Sequence, residues 1–507
     1  MLVFLIFSVL LLAPVLQGFW NFQTQFVLEA AGFFAGGLWL FRRAFSRGLP
    51  QNFLENKNLP LVGAAFFSLL GAALSPVREL VMADWWSFFF GLFILAAAGR
   101  LSAGQRRGTD LALRASAWII AALALYQAFI VKSPDISASL TNPNALALFT
   151  LMLIPMAFLW RDFFLLGALI AVLVLTRSAA ALLAVLAAGG WYAADNFKKV
   201  ELRKAWPAFA VLAGAAALAL WQIEPRSVFD RLLWWRSALK MFADGPLFGF
   251  GQGAFAWLYP AYHHPEAAGI SSVYVHNYFI EFLAENGVLA FACWFWAVFS
   301  RVKAMSGLKK YAVIAALVHS VADFGLAVPA DFFIFCYLLS ADAPRGEHGC
   351  PEPDVVQGGS RKETSAAIRA ERKITIVVAA LAALVLAHGL GVFFKQARLE
   401  RLHDSAMSAY SAGDYAGAAG ALDAAAAAAP QNPLIPRLQG QVWLAAGMEK
   451  KDRNLLFRSA VALERSLLLN PYNSGAYRDL EFVYATAGAG GLKADLLRRK
   501  KEFFKWE

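Results

Sequence analysis

Long apolar segments separated by short polar loops make up most of the chain before residue 395. Most are about 17–24 residues long, the length that a helix needs to cross a bilayer. The pattern predicts an all-α, polytopic membrane protein with about 12–13 transmembrane helices. We place them at 2–18, 26–44, 59–75, 84–100, 111–131, 143–160, 162–176, 178–194, 205–222, 276–299, 308–324, 328–341 and 373–394.

The loop charges orient this arrangement. If the N-terminus lies in the cytoplasm, the inward loops hold about three times as many lysines and arginines as the outward loops, as the positive-inside rule requires. We therefore expect 1–341 to form one multi-span domain whose large loop, 223–275, lies outside. Residues 342–372, rich in Gly, Pro, Ser and charge, then form a cytoplasmic linker, and 373–394 form an additional span.

Composition agrees with a membrane protein, since 59% of the residues are hydrophobic and only 16% are charged. The net charge of +11 does not indicate nucleic-acid binding, because the basic residues lie in loops between apolar segments.

The apolar start has no basic n-region and no cleavage site, so we interpret it as an uncleaved first span. The three cysteines show no pairing pattern and no metal-ligand spacing.

Residues 396–507 differ from the rest, being rich in alanine and amphipathic with helical spacing. Gly413-Asp414-Tyr415 resembles the turn of a tetratricopeptide repeat, and Asn432-Pro433 and Asn470-Pro471 each close a helix. We predict a short helical-repeat domain on the outer side, where it could bind a periplasmic protein. A plain helical hairpin is the alternative.

Polar side chains fall near the predicted outer ends of several spans. Ionisable residues at membrane depth are costly, so each is a candidate for function. The candidates are Asn142, Asn144, Arg177, Arg231, Arg236, His276, Asn277, Glu285, His319 and Asp323. Several also have an ordinary explanation: Arg177 can reach the interface, Arg231 and Arg236 can belong to an interfacial helix, His276-Asn277 can cap a helix, and Glu285 can lie near enough to the inner side to be solvated. Their common depth favours a shared site.

These residue types suit one chemistry. Arginine is permanently charged and binds phosphate oxygens bidentately, so arginines at an outer surface suit a diphosphate leaving group. Histidine, with an ordinary pKa of about 6.5, can accept a proton from a sugar hydroxyl. Together they suggest glycan transfer from a lipid diphosphate to an acceptor hydroxyl. We find no metal motif and expect no cofactor.

Four motifs occur in order along this part of the chain, followed by a weaker fifth, His319 through Phe324. They are Thr141-Asn142-Pro143-Asn144; Thr176-Arg177-Ser178; Arg231 through Trp235 with Gly245-Pro246-Leu247-Phe248-Gly249-Phe250-Gly251; and Val275-His276-Asn277 with Glu285-Asn286-Gly287. In these motifs the sequence resembles the O-antigen ligase and polymerase family of bacterial envelope glycosyltransferases, although members more often have Ser-Arg-Gly at the second.

The resemblance implies a metal-independent, inverting transfer on the outer face of the bacterial cytoplasmic membrane. The donor would be an undecaprenyl-diphosphate-linked glycan, and the acceptor a glycan, lipid A-core or a protein. Diphosphate-binding roles would fall to Arg177 and Arg231, and the histidine role to His276. Substrate-binding roles would fall to Asn142, Asn144, Arg236, Asn277, Glu285, His319 and Asp323.

Two other classes of function fit a polytopic membrane protein. A flippase or transporter of lipid-linked glycans without catalytic activity would usually carry related halves with interrupted helices, and we find no convincing internal repeat. A membrane anchor for a repeat-domain scaffold leaves the polar residues at the outer ends unexplained.

The predicted topology can be tested with single cysteines and a membrane-impermeant thiol reagent. We expect labelling in intact cells at positions within 223–275 and 396–507, and none within 342–372 until the membrane is permeabilised. Labelling of 342–372 in intact cells would invert the orientation and remove the argument for an outer site.

Overall fold

The structure is a computed structural model that describes residues 2–19, 58–196, 225–267, 272–340, 387–392 and 394–504. Within these ranges every regular element is a helix and no strand occurs, which confirms the predicted all-α fold class. The predicted spans 26–44 and 205–222, the linker 342–372 and most of the span 373–394 lie outside the described residues.

Twelve helices precede residue 341 in the described ranges. They are α1 (Leu2–Val15), α2 (Leu59–Leu74), α3 (Arg78–Ala98), α4 (Ala103–Tyr126), α5 (Pro143–Leu159), α6 (Phe163–Leu175), α7 (Ala179–Asn196), α8 (Pro225–Asp244), α9 (Phe255–Tyr262), α10 (Tyr278–Ala304), α11 (Leu308–Ala322) and α12 (Pro329–Leu339). A π-helical turn, Gln127–Val131, extends α4.

Three of the described helical segments are long and apolar enough to cross a membrane, namely Arg78–Ala98, Ala103–Val131 and Tyr278–Ala304. The apolar helices α1, α2, α5, α6 and α12 are shorter. The chain is therefore embedded in a membrane through several helices. The two short predicted spans at 162–176 and 178–194 are separate helices, α6 and α7.

The chain divides into two compact units. Unit 1 comprises Met1–Gly63, Ser87–Pro225 and Cys293–Leu390, and unit 2 comprises Ala64–Trp86, Arg226–Ala292 and Gly391–Glu507.

Helices α5, α7 and α11 pack together in unit 1. Helix α5 is buried nearly all round, as expected of a helix inside a bundle rather than at its edge. Near the end of α7, Asp195 accepts hydrogen bonds from Lys310 (2.8 Å) and Tyr311 (2.9 Å) at the start of α11. The two helices therefore run antiparallel, and the end of α11 lies beside the start of α7.

A second polar cluster in unit 1 ties α4 to the turn between α5 and α6. The Asp162 carboxylate accepts from the Arg114 guanidinium (2.8 Å) and from the Trp118 indole (3.0 Å), while its other oxygen caps α6 at the Leu165 amide. A carboxylate with three donors is well satisfied, which explains how a charged residue can end one helix of an apolar bundle and begin the next.

The C-terminal part of unit 2 consists of helical hairpins. Residues 394–411 (α13) are followed by α14 (Tyr415–Ala428), α15 (Leu434–Lys450), α16 (Arg453–Leu469), α17 (Ser474–Thr486) and α18 (Gly490–Phe503). Within each hairpin the turn contains one residue with positive φ, at Gly413, Lys451 and Gly488. The same kind of turn thus recurs in three successive hairpins. We refer to residues 394–504 as the repeat domain, and its assignment to a repeat family stays a prediction.

The repeat domain contacts two other parts of unit 2. Lys395, at the start of α13, forms a 2.8 Å ion pair with Glu79 in the first turn of α3. The ring of Tyr472, between α16 and α17, stacks on Tyr262 of α9 with 6.0 Å between centroids. Tyr262 also donates a 2.9 Å hydrogen bond to Asp244. Burial, followed by the effects of Tyr472 and Asp244, raises the pKa of Tyr262, so its hydroxyl stays a donor.

Candidate functional site

A glycine-rich loop, residues 245–254, lies against a kink in α10. At the kink Gly287 has φ 71° and ψ 174°, so the helical hydrogen-bond ladder is interrupted there. The loop occupies the gap, because the amides of Phe250 (2.9 Å) and Gly251 (2.7 Å) donate to the carbonyl oxygen of Glu285. In return, the Val288 amide donates to the Pro246 carbonyl at 2.9 Å. The loop and the kinked helix thus complete each other's backbone hydrogen bonds.

The approach of the two backbones leaves no room for a side chain at two glycines. A Cβ on Gly249 would lie 2.2 Å from the Glu285 carbonyl oxygen, and one on Gly287 would lie 2.3 Å from the Leu247 carbonyl oxygen. Both residues also have positive φ, which glycine adopts without steric cost. The sequence motifs Pro246 to Gly251 and Glu285 to Gly287 therefore face each other across one contact.

Glu285 supports this loop with its side chain as well. The side chain is 1% exposed, and Oε1 accepts a 3.0 Å hydrogen bond from the Phe255 amide at the start of α9. The structure therefore places Glu285 inside unit 2 as an anchor for the loop and α9. The alternative that Glu285 is simply solvated does not agree with this burial.

The segment 274–277 forms a tight entry into α10. Asn277 caps the helix, because its Oδ1 accepts from the amides of Phe279 (3.0 Å) and Ile280 (3.1 Å). Glu281 reaches back and accepts from the Val275 amide at 2.7 Å. The capping role predicted as the ordinary explanation thus holds for Asn277, which is 5% exposed.

His276 precedes this cap in a left-handed backbone conformation, with φ 55°. Its imidazole ring stacks on the indole of Trp234 in α8, with 4.8 Å between centroids and 22° between planes. The strained backbone and the stacked ring both fix the direction of the side chain. The arginine-bearing helix α8 and His276 are therefore brought together in unit 2.

The two arginines of α8 have different environments. Arg231 is half-buried, whereas Arg236 is exposed. Five residues separate them, so they point roughly 140° apart around the helix axis. Arg236 shares its face with Phe229, Leu232 and Leu239, which are 43–46% exposed. This face fits an interfacial helix for Arg236, and Arg231 is the arginine on the side nearer the protein interior.

Tyr274 lies close to a group of carboxylates in unit 2. Burial raises the pKa of Tyr274 well above its ordinary value, and Asp84, Glu281 and Glu285 raise it further. Asp84 did not emerge from the sequence patterns, although a carboxylate within an apolar membrane-length helix was a usable signal. The backbone of Gly253 packs directly on the Asp84 carboxylate, since a Cβ on Gly253 would lie 2.1 Å from Asp84 Oδ2.

The other sequence candidates lie in unit 1. Asn142 caps α5 through its Oδ1, which accepts from the Asn144 amide at 2.8 Å. Arg177 lies between α6 and α7, is exposed and has φ 52°. His319 and Asp323, at the end of α11, are both fully buried.

Helix packing brings these residues to one end of unit 1. The antiparallel contact of α7 with α11 places His319 and Asp323 at the end of the bundle where Arg177 begins α7. Gly325, just after α11, packs on Leu148 in the first half of α5, because a Cβ there would lie 2.6 Å from that side chain. The start of α5, with Asn142 and Asn144, is therefore at the same end.

Asp331, in the first turn of α12, is a further buried carboxylate in unit 1 that the sequence patterns did not single out. It is 0% exposed, and neither of its oxygens has a hydrogen-bond partner among the described residues. Nor do the described residues contain any group of three or more histidine, cysteine, aspartate and glutamate side chains arranged to hold a metal ion.

The contact between the loop and the kink can be tested with two glycines of the same backbone conformation. Gly307 has φ 70° and open space around it, so Gly307→Ala should cost only the conformational strain, about 1–3 kcal/mol. Gly287→Ala adds a clash with the Leu247 carbonyl and should destabilise the purified protein by several kcal/mol. Thermal unfolding and proteolysis at 245–254 measure both; equal effects would contradict the tight contact.

No curated protein and no solved structure matches this chain. A family model does match part of it. Residues 164–295, which include Arg177, Arg231, His276 and the whole contact between the glycine-rich loop and α10, match the model described as O-antigen ligase, and this match supports a glycosyltransferase-type envelope enzyme.

Proposed function

We propose that the chain transfers a glycan from an undecaprenyl-diphosphate carrier to an acceptor hydroxyl on the outer face of the bacterial cytoplasmic membrane. The observation that carries the proposal is the match of residues 164–295 to the O-antigen ligase model. It covers the segment in which the capped helix start, the stacked His276 and the anchored loop occur together. The acceptor would be a glycan, lipid A-core or a protein, so the enzyme would be a ligase or a polymerase.

The proposed reaction needs no metal ion. The acceptor oxygen attacks the anomeric carbon from the face opposite the diphosphate, the bond from that carbon to the diphosphate oxygen breaks, and the configuration inverts. The carrier diphosphate leaves with the bonding electron pair, and its growing negative charge is stabilised by Arg177 and Arg231. Fixed positive groups accelerate the reaction because they bind the transition state more strongly than the ground state.

In the same proposal His276 accepts the proton of the acceptor hydroxyl. Trp234 would orient the imidazole for this task, since the two rings stack at 4.8 Å. The polar groups at the end of unit 1, Asn142, Asn144, His319 and Asp323, would bind the glycan or the carrier together with Arg236, Asn277 and Glu285. For Asn277 and Glu285 this role would be indirect, because their side chains already hold backbone amides.

The repeat domain would serve a partner protein on the periplasmic side. A cavity of about 380 Å³ between α13, α14 and α15 supports this proposal. Its lining includes the apolar Leu399, Leu422 and Ile435 and the polar His403 and Asp404. The turns and hairpins described above also agree with the tetratricopeptide-like interpretation.

The diphosphate role of the arginines can be tested by substitution. Loss of one comparable electrostatic donor costs about 2.7–4 kcal/mol, or roughly a hundredfold to a thousandfold in rate. We expect Arg177→Ala and Arg231→Ala each to lose transfer by that factor, with poor rescue by lysine, which lacks the planar fork. His276→Ala should lose about a hundredfold or more if it removes a general base.

The matched control is Arg161→Ala. Arg161 is also exposed and also follows a helix with a positive φ, of 55°, but it lies at the other end of α6. Glycan transfer in a complementation strain, with protein amounts checked by immunoblot, should remain near wild type for this variant. Near wild-type transfer by both Arg177→Ala and Arg231→Ala would remove the diphosphate role and favour a transporter.

Metal independence gives a second test. If fixed arginine charges stabilise the leaving diphosphate, excess chelator should leave the turnover of the purified protein unchanged. Activity lost with chelator and restored by Mg²⁺ or Mn²⁺ would instead indicate a metal-dependent transfer and overturn this part of the proposal.

A further inference from the structure

Helix α16 of the repeat domain exposes a stripe of large apolar side chains. Phe457 is 71% exposed, Val461 54% and Leu468 80%. At 100° per residue, the three positions lie within about 40° of one another around the helix axis. Large apolar side chains aligned on an exposed face, rather than scattered singly, indicate an interaction surface.

The opposite face of the same helix forms the core of the domain. Leu456, Leu463 and Leu467 are each less than 8% exposed. The Ser459 hydroxyl donates to the Gly440 carbonyl of α15 at 2.7 Å. Packing of this face fixes the rotation of α16 about its axis. The apolar stripe therefore points away from the rest of the domain.

Arginines border the stripe on both sides. Arg453 lies roughly 60° to one side, and Arg458 and Arg465 lie roughly 60–80° to the other. All three are exposed. The acidic neighbour of the stripe, Glu464, is neutralised by two hydrogen bonds from Arg499, at 2.7 and 3.0 Å. An apolar stripe flanked by arginines is the pattern of a helix that lies in the interface of an anionic bilayer.

The contacts of unit 2 place the repeat domain within reach of such a surface. Lys395 at the start of α13 pairs with Glu79, in the first turn of the membrane-length helix Arg78–Ala98. At the other end, Tyr472 stacks on Tyr262, and Tyr472 is only four residues beyond Leu468. The domain is therefore held at two points, one of them where a membrane-spanning helix begins.

We infer that the outward face of α16 binds the anionic headgroups of the bilayer that the chain itself spans, with Phe457, Val461 and Leu468 inserted and the three arginines on lipid phosphates. The bilayer is the favoured occupant because all three charges that border the stripe are positive, which complements an anionic surface. Each arginine near an anionic surface strengthens the attachment roughly fivefold, and the three together roughly a hundredfold. This surface is separate from the proposed transfer chemistry.

The test uses the full-length protein in nanodiscs of neutral phosphatidylcholine or of a mixture with phosphatidylglycerol. Cys293, Cys336 and Cys350 are replaced by alanine, and a nitroxide label is placed at Val461→Cys. We expect the label to collide more with oxygen than with an aqueous nickel chelate in the anionic nanodiscs. In neutral nanodiscs, or with Arg453→Gln, Arg458→Gln and Arg465→Gln combined, this preference should fall strongly.

Ser411→Cys, exposed at the end of α13, is the matched control and should report water in both bilayers. Its unchanged spectrum also shows that the domain stays folded in the arginine variant. A label at 461 that reports water in both compositions would overturn the inference. So would a label protected from both reagents, since that result means that protein covers the stripe.

Discussion

The backbone exchange between the glycine-rich loop and the kink in α10 is the constraint on which the rest of unit 2 depends. A helix that bends at Gly287 leaves the Glu285 carbonyl without its helical donor, and the loop amides of Phe250 and Gly251 supply it. The loop then leads directly into α9, whose first amide is held by the Glu285 carboxylate. Because α9 carries Tyr262, this one contact also positions the surface on which Tyr472 of the repeat domain stacks.

In unit 1 the constraint is a different one: polar side chains among apolar helices need hydrogen-bond partners. At one end, Asp195 and Asp162 are each held by two side-chain donors, so charge there is locally balanced. At the other end lie the helix cap Asn142, the exposed Arg177 and the buried His319 and Asp323. Polar groups thus occur at both ends of the bundle, and among the residues that the structure describes in unit 1 a cation, amides and a buried histidine come together at one end.

Local signals in the sequence were sufficient wherever short-range chemistry decides the structure. The apolar segment 143–160 predicted the helix that begins after Asn142, and the cap predicted as the ordinary explanation for His276-Asn277 is formed by Asn277. In both places asparagine satisfies free amides at a helix N-terminus. The division between α6 and α7 at Arg177 also followed from the sequence. The repeat domain was predicted from its turns, and Gly413 does occupy a left-handed position in the first of them.

Contacts between distant segments could not be predicted in the same way. The stacking of Trp234 on His276 joins residues more than forty positions apart, and no periodicity encodes it. The hydrogen bond from the Phe255 amide to the Glu285 carboxylate could not be predicted either, because a carboxylate in an apolar helix indicates function without indicating its partner. Asp331 was not singled out because a carboxylate in the first turn of a helix also interacts favourably with the helix dipole. Asp84 lies further into its helix, and its burial became visible only in three dimensions.

The position of the kink has a consequence for how the protein enters the membrane. Glu285 lies seven residues into α10, or about 10 Å along its axis, where a carbonyl without a donor costs several kcal/mol in lipid. Its donors, Phe250 and Gly251, precede it in the chain and therefore leave the ribosome first. When α10 moves sideways into the bilayer, the loop is already present to close the gap. Because its donors are synthesised first, the Glu285 carbonyl need not pass through an intermediate in which it faces lipid without a hydrogen-bond donor.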